Sequence, residues 1–476
     1  MNRVRKLILS AFAIGTLAFA PLGRAQIAPA PAPGEAAKPP AQDDAAKPPA
    51  QEAAPKVAAD TIPKAREIVN QIVAGQFDKV EARYNDKMKA ALAPGRLADS
   101  WKQLLGQTGG FKSITSESAK AIQTFQVATL ACEFERTTLD AVVSFDPDGA
   151  LAGIRFVPHR DTTPWAAPAY AKPDTFHEDP ITVKFGHWEL PGTITTPLGD
   201  GPFPLVVLVQ GSGPHDQDES IGPNKPFKDL AWGLASHGVA VLRYTKRTAR
   251  YGLKSADDTT TFTVLDEIVN DARAAAELAA KQLKIDPKRI YVLGHSEGGY
   301  IAPRIAQGDT QIAGIILLAG SARPLEKVIL DQIHYLASFP GVPPEQAQKQ
   351  FAAIEAMTKD IQNPDLKPTD KVSFLGAEIP ASYFIDLRGY DPVAMAAKLK
   401  IRILVLQGAR DYQVTNEDFD LWKKGLSGEP NVTFKLYPDL NHLFVTGEGK
   451  SKPAEYDKAG HVAAETVTDI ADWVKK

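Results

Sequence analysis

The sequence predicts an α/β protein: a mostly parallel, doubly wound sheet carrying a helical insertion, preceded by a small α+β domain. Three observations lead to this class. From Ile181 onward, short β-branched apolar runs alternate with segments of helical period, the pattern of a sheet covered on both faces. Pro204-Leu205-Val206-Val207-Leu208-Val209 is apolar throughout, as a strand buried on both sides must be. Before residue 161, helical spacing comes first and then gives way to a period of two, which is the order of an α+β unit.

The chain has 476 residues, enough for two or three domains, with ordinary globular proportions of 44% hydrophobic and 23% charged residues. A net charge of -3 gives no electrostatic basis for binding nucleic acid. Arg3, Arg5 and Lys6 precede an apolar run, Leu7 to Ala20, that is too short for a comfortable membrane span. Gly23-Arg24-Ala25 then offers small residues to a signal peptidase. Residues 1–25 are therefore expected to be a signal peptide cut after Ala25, making the protein periplasmic or secreted; an uncleaved anchor is the alternative. No cysteine stands directly after the apolar run, which argues against a lipoprotein. Removing Arg3, Arg5, Lys6 and Arg24 from the 54 basic residues leaves 50 against 57 acidic ones, a mature charge of -7. No other run approaches about 20 apolar residues, so no integral span is expected in the mature protein. Cys132 is the one cysteine, which excludes an intrachain disulfide and a cysteine-based metal site.

Residues 26–60 are almost all Ala, Pro, Gln, Lys, Glu and Asp and are expected to form a disordered tether. In the α+β domain, 61–160, Ile68, Ile72, Val73 and Phe77 mark one helix, and Leu97, Trp101, Leu104 and Leu105 another. Gln123 to Glu133, Thr137 to Phe145 and Ala150 to Val157 read as strands, the last two joined through the turn Asp146-Pro147-Asp148-Gly149. Residues 161–178, rich in Pro and Thr, are expected to be a linker. The main domain, 179–476, opens with an antiparallel pair, Ile181 to Phe185 and Glu189 to Thr195. Core strands follow at 204–209, 239–243, 312–318, 401–406 and 432–437, with helices at 229–237, 264–283 and 463–474. An insertion at 321–398 has helical patterns at 325–336 and 344–357. Such an excursion leaves from the carboxyl ends of the strands, where ligands bind, so it is expected to cap the site.

The chemistry is concentrated at Gly294-His295-Ser296-Glu297-Gly298, preceded by the strand Ile290 to Leu293 and followed by a helix-capable run. In that context G-x-S-x-G is a nucleophile elbow, with Ser296 at the tip of a strained turn. A serine needs a base, and the base an orienting acid. Asp411 follows the strand 401–406, where the acid belongs; Asp386 and Asp391 are rivals that follow no clear strand. His442 follows the strand 432–437. Of the nine histidines, only His442 and His461 come after Asp411, and His461 opens the closing helix, as an exposed first-turn residue. An oxyanion hole needs two convergent N–H donors. One is expected from Glu297 and the other from Ser212, with Gly213 as the alternative, in the loop Gln210-Gly211-Ser212-Gly213-Pro214-His215-Asp216. Gly211, Gly213 and His215 are expected to line the substrate pocket, although His215 and Asp216 would also serve to stabilise the loop. His295 reads as packed rather than chemical.

The combination of QGSGPHDQDE, GHSEGG, QGARDYQV and LNHLF resembles the dienelactone-hydrolase-like bacterial esterases of the α/β-hydrolase family. The preceding stretch is similar to the domain of unknown function found ahead of some secreted bacterial hydrolases, with a nuclear-transport-factor-2-like shape. Two departures stand out. Many relatives have His where this chain has Gln210, and they usually read R-Y-D-K-R-G where it has Arg243-Tyr244-Thr245-Lys246-Arg247-Thr248. The resemblance implies a serine hydrolase acting on small-molecule carboxylic esters, with no metal or organic cofactor. A peptidase or thioesterase on the same fold, or an inert envelope binding protein, are the other readings. Protein partners are not legible.

Overall fold

The computed structural model describes residues 57–476 except 123, 136, 160–162, 259, 310, 340–343 and 375–376. The expected signal peptide and most of the expected tether lie outside the described residues. The described chain forms two compact units, one on each side of residues 160–162.

The first unit has four helices, α1 (Thr61–Val73), α2 (Phe77–Glu81), α3 (Asp86–Ala91) and α4 (Arg96–Thr108). They precede four strands, β1 (Phe111–Ile122), β2 (Phe125–Phe134), β3 (Thr138–Phe145) and β4 (Leu151–Pro158), paired antiparallel in sequence order. Ile68 and Ile72 of α1 pack on Leu130, Cys132, Ala141 and Val143 of the sheet. That burial pushes the Cys132 thiol up to about 11. The Asp146–Gly149 turn closes as expected: Gly149 N–H donates to the Asp146 carbonyl at 3.0 Å, and Gly149 has φ +79°. The sequence pattern assigns nothing to β1. No residue of that strand is fully buried; Phe111, Ile114 and Ala119 pack half-buried against the core, and the strand is held by its antiparallel pairing with β2.

The second unit contains the large sheet. Its elements are β5 (Phe176–Phe185), β6 (Trp188–Pro197), β7 (Phe203–Val209), α5 (Pro226–Ser236), β8 (Ala240–Tyr244), α6 (Arg247–Tyr251), α7 (Asn270–Ala280), β9 (Ile285–His295), α8 (Glu297–Ala306) and β10 (Ile312–Leu318). The insertion then supplies α9 (Leu325–Ala337), α10 (Pro344–Gln362), the hairpin β11 (Lys371–Phe374) and β12 (Ala377–Pro380), α11 (Ala381–Leu387) and α12 (Pro392–Ala396). Then come β13 (Arg402–Gly408), α13 (Asn416–Gly425), β14 (Val432–Tyr437) and α14 (Ala464–Lys475). The strand order is β14-β13-β10-β9-β7-β8-β6-β5. Pairing is parallel from β14 to β8 and antiparallel for β6 and β5. Alternate residues of each central strand enter opposite cores. Val207, Leu242, Val292, Leu317 and Val405 pack with α7 and α8. Val206, Val241, Leu293, Ile316 and Leu404 pack with α5 and α14.

Two expectations change. The helix expected over 264–283 is a π-turn (Leu265–Val269) followed by α7, which stops at Ala280. The wider turn begins where Asp266 accepts from Thr263 N–H at 2.9 Å, and it leaves Glu267 and Asp271 both buried. The segment expected as a linker packs on α5: Trp165 stacks edge-on against Trp232 and donates to Asp229 at 2.8 Å. Among the described residues no helix is long and apolar enough to cross a membrane.

Ile316, fully buried in the central strand, should tolerate truncation poorly. Ile316→Ala is expected to lower unfolding free energy by about 2–5 kcal/mol, read by denaturant titration.

Candidate active site

β9 runs into Ser296 and α8 begins at the next residue. Ser296 has φ +54° and ψ -117°, a conformation that costs about 1–3 kcal/mol and survives only where its surroundings impose it. Here they do. Ser296 N–H donates to the Leu318 carbonyl at 2.9 Å, and its own carbonyl accepts from Tyr300 N–H at 3.0 Å. A Cβ on Gly294 would stand 2.1 Å from the Gly298 carbonyl oxygen, so the turn closes only around a glycine. The other non-glycine residues with positive φ among the described residues are Glu219, Ala319 and Phe444. Ala319 follows the carbonyl that holds Ser296, and Phe444 lies two residues past His442. Glu219 contacts His295.

Asp411 follows β13 and His442 follows β14. The His442 Nδ1–H donates to Asp411 Oδ2 at 2.7 Å, and both side chains are buried. The other carboxylate oxygen accepts from Gln413 N–H at 2.7 Å and Val414 N–H at 3.0 Å, while Gln407 Nε2 reaches Oδ2 at 3.2 Å. These bonds leave the carboxylate one orientation and turn Nε2 of the imidazole away from it. The His442 ring lies 4.7 Å from the ring of His295, the neighbour of Ser296. No hydrogen bond joins Ser296 to His442 among the described residues; such bonds often tighten only around substrate. The rivals are engaged elsewhere. Asp386 pairs with Arg304 at 2.7 Å, Asp391 caps α12 through Ala394 N–H, and His461 is half-buried against Asp229 at 3.1 Å.

The loop after β7 lies beside the serine: a Cβ on Gly211 would come within 3.0 Å of Ser296 Cβ. Ser212, Ser296 and Glu297 line a cavity of about 30 Å³. Glu297 is the first residue of α8, so its N–H has no partner within the helix. Gly211, Gly213 and His215 are not part of that lining. His215 Nε2 instead donates to the Ser212 carbonyl at 2.7 Å, which braces the loop, and burial lowers its pKa. Leu325, Val328 and Gln332 of α9 and Leu387 of α11 close the cavity. A larger cavity of about 770 Å³ shares Tyr300, Leu325 and Leu387 with it.

Residues 221–448 match the family model described as serine aminopeptidase, S33, and residues 65–154 match a protein family of unknown function, DUF3887. The chain is 40% identical over 408 residues to esterase EstD of Thermotoga maritima, spanning 86% of this chain and 94% of that protein. It belongs to the EstD family of α/β-hydrolase esterases. Solved structures similar to it include a dienelactone hydrolase from Klebsiella pneumoniae (17% identity, 63% of this chain, 99% of that one, TM-score 0.37). Another is Est1E from Butyrivibrio proteoclasticus (15%, 62% and 99%, TM-score 0.41).

Under the site of this EstD-family protein lie two buried ionic clusters that sequence reasoning passed over. In the first, Glu219 Oε1 accepts from Gly211 N–H at 2.6 Å, and Oε2 faces His295 Nδ1 at 2.9 Å. His295 Nε2 in turn donates to the His442 carbonyl at 3.0 Å. Burial alone would lower the His295 pKa, but the Glu219 carboxylate raises it overall. Burial would raise Glu219, but the imidazolium lowers it overall. In the second, Lys246 Nζ meets Glu267 at 3.2 Å and Glu297 at 3.6 Å. Tyr383 donates to Glu297 at 2.8 Å. Burial lowers the Lys246 pKa less than its two carboxylates raise it. Burial and then Glu267 hold Glu297 above the usual carboxyl range, against the pull of Lys246. A signal for the second cluster was present: Glu267 sits beside a face otherwise apolar (Ile268, Ala272, Ala275), with Asp271, the partner of Arg247, four positions on. Among the described residues no group of three or more His, Cys, Asp and Glu side chains is placed to hold a metal ion.

The His295–Glu219 pair has a defined pH window. His295 stabilises the fold fully below its unfolded value of 6.5, and this is lost as pH rises through its higher folded value. Glu219 contributes above its unfolded 4.5, lost as pH falls through its lower folded value. Glu219→Gln is therefore expected to cost most between pH 4.5 and 6.5, about 3–5 kcal/mol, and less once pH has risen through the raised folded value of His295. Urea titrations across that range check it.

Proposed function

We propose that this protein hydrolyses carboxylic esters through a triad of Ser296, His442 and Asp411. The observation that carries the reading is the 2.7 Å bond from His442 Nδ1 to Asp411, at the carboxyl ends of adjacent parallel strands and beside a serine in a strained turn. Membership of an esterase family supports the substrate class. Ser296 Oγ attacks the ester carbonyl. His442 Nε2 takes the serine proton and returns it to the leaving alcohol. Asp411 holds the working tautomer and stabilises the imidazolium. The N–H groups of Ser212 and Glu297 receive the oxyanion, and water then releases the acid from Ser296 by the same proton path in reverse. The larger cavity takes the acyl chain, past Tyr300 and Leu325. The basic and apolar pattern of residues 1–25 supports export to the periplasm or beyond.

A second reading, hydrolysis of peptide amides, is favoured by the match of residues 221–448 to a serine aminopeptidase model. Hydrolysis of p-nitrophenyl esters with two to sixteen acyl carbons, set against aminoacyl p-nitroanilides, separates the two. Turnover of the esters is expected to dominate. Ser296→Ala should lower kcat by at least about 10⁴-fold with its melting temperature kept. Amide turnover above ester turnover would replace this reading with the peptidase. A folded wild type that neither hydrolyses nor reacts with a fluorophosphonate would remove both.

Chain length is a separate prediction. Each methylene that enters the larger cavity is worth about 0.8 kcal/mol. For the first few carbons kcat/KM is expected to rise about fourfold per methylene and then level off. A flat or falling profile from acetate onward would place the acyl group elsewhere.

A further inference from the structure

We propose that Lys246 is the positioning residue of the oxyanion loop, acting through the carbonyl of Gly211. The inference rests on the ester-hydrolase reading and deepens it. In a trans peptide the carbonyl of one residue and the N–H of the next point to opposite sides of one rigid plane. The bond between Gly211 and Ser212 is trans. Whatever holds the Gly211 carbonyl therefore aims the Ser212 N–H the other way. Lys246 Nζ donates to that carbonyl at 2.9 Å, in a buried contact.

Gly211 is held from its other end too, because Glu219 accepts its N–H at 2.6 Å. The residue thus has both polar groups gripped by buried side chains, while its Cα lies against Ser296. Lys246 also ties the far end of the loop, since its backbone N–H donates to the His215 carbonyl at 3.1 Å. Gln210 joins the same anchor, donating to the Tyr244 carbonyl. The remaining ammonium directions of Lys246 face Glu267 and Glu297. Glu297 supplies the other proposed oxyanion donor from its backbone, so one ammonium touches the peptide carbonyl that precedes the Ser212 N–H and the side chain of the second donor residue.

A lysine kept only to balance two buried carboxylates would have no need of the Gly211 carbonyl. The test separates the two roles in the full mature chain. Lys246→Met removes the clamp and also leaves Glu267 and Glu297 without a cation, which threatens folding. The double variant Lys246→Met with Glu267→Gln removes the clamp while relieving that imbalance, and it is the deciding protein. Melting temperature is measured, and kcat and KM on p-nitrophenyl butyrate are expressed per serine titrated with a fluorophosphonate. We expect the double variant to recover melting temperature relative to the single one. Its kcat per titrated serine should stay about 10²–10³-fold below wild type, the loss typical of one oxyanion donor, with KM within about threefold. A double variant whose kcat per titrated serine lies within about fivefold of wild type would overturn the proposal and leave ester hydrolysis intact. So would a loss confined to KM. A wild type that labels with the fluorophosphonate but turns over no ester would overturn the ester reading, and the proposal with it.

Discussion

A serine at φ +54° between a strand and a helix is the constraint from which the geometry of the catalytic unit follows. That backbone is unfavourable by itself and must be held from outside. The Leu318 carbonyl of β10 holds it by one bond, which requires β10 to lie parallel and in register beside β9. Ala319 N–H is in turn held by the Leu406 carbonyl of β13. The chain of parallel pairings from β9 through β10 to β13 therefore places the end of one strand against the end of the next. Asp411 emerges three residues past β13, and His442 five past β14. Close packing of Gly294 on Gly298 completes the turn.

The electrostatics follow the same edge of the sheet. The end of β8 carries three cations in five residues, and each is buried with an acidic partner. Arg243 meets Asp218 and Glu178, Lys246 meets Glu267 and Glu297, and Arg247 forms a two-pronged pair with Asp271. Charges this deep are tolerable only when paired and hydrogen-bonded. Their partners come from β5, from the loop after β7, from the start of α8, and from the π-turn and the α7 helix that follows it. The pairs thus tie the loop after β7, the start of α8 and the π-turn to the end of β8. Within Arg243-Tyr244-Thr245-Lys246-Arg247-Thr248, Lys246 finds its acids at Glu267 and Glu297 and Arg247 finds its acid at Asp271, none of them within the loop itself.

The insertion between β10 and β13 gives the site its walls. α9 brings Leu325, Val328 and Gln332 over the cavity at Ser296, and Gln332 is anchored to the Gln413 carbonyl at 3.0 Å, two residues from Asp411. Arg323, ahead of α9, pairs with Asp331, Glu417 and Asp418. The walls are therefore fastened to the same loop that carries the proposed acid. The first unit is built on its own core of α1 against β2 and β3, with no group yet assigned to the chemistry.

Features that depend on neighbours along the chain were legible in the residues alone. The period of the apolar residues identified each strand of the large sheet, because a strand buried on both faces needs an unbroken apolar run and one buried on a single face alternates. Gly294-His295-Ser296-Glu297-Gly298 announced the tight turn, because only glycine fits so close to another backbone. Asp411 and His442 were legible because each directly follows a core strand. The tertiary structure alone decided what depends on residues far apart. β1 has no regular apolar alternation and is held by its pairing with β2. The π-turn at 265–269 accompanies the burial of Glu267 beside Lys246, 21 positions earlier. His295 is packed, as its neighbours imply, yet its charge is set by Glu219 across the fold. No spacing along the chain reports a buried ion pair, since its energy depends on a distance in space and on the exclusion of water, and both arise only when the sheet has closed.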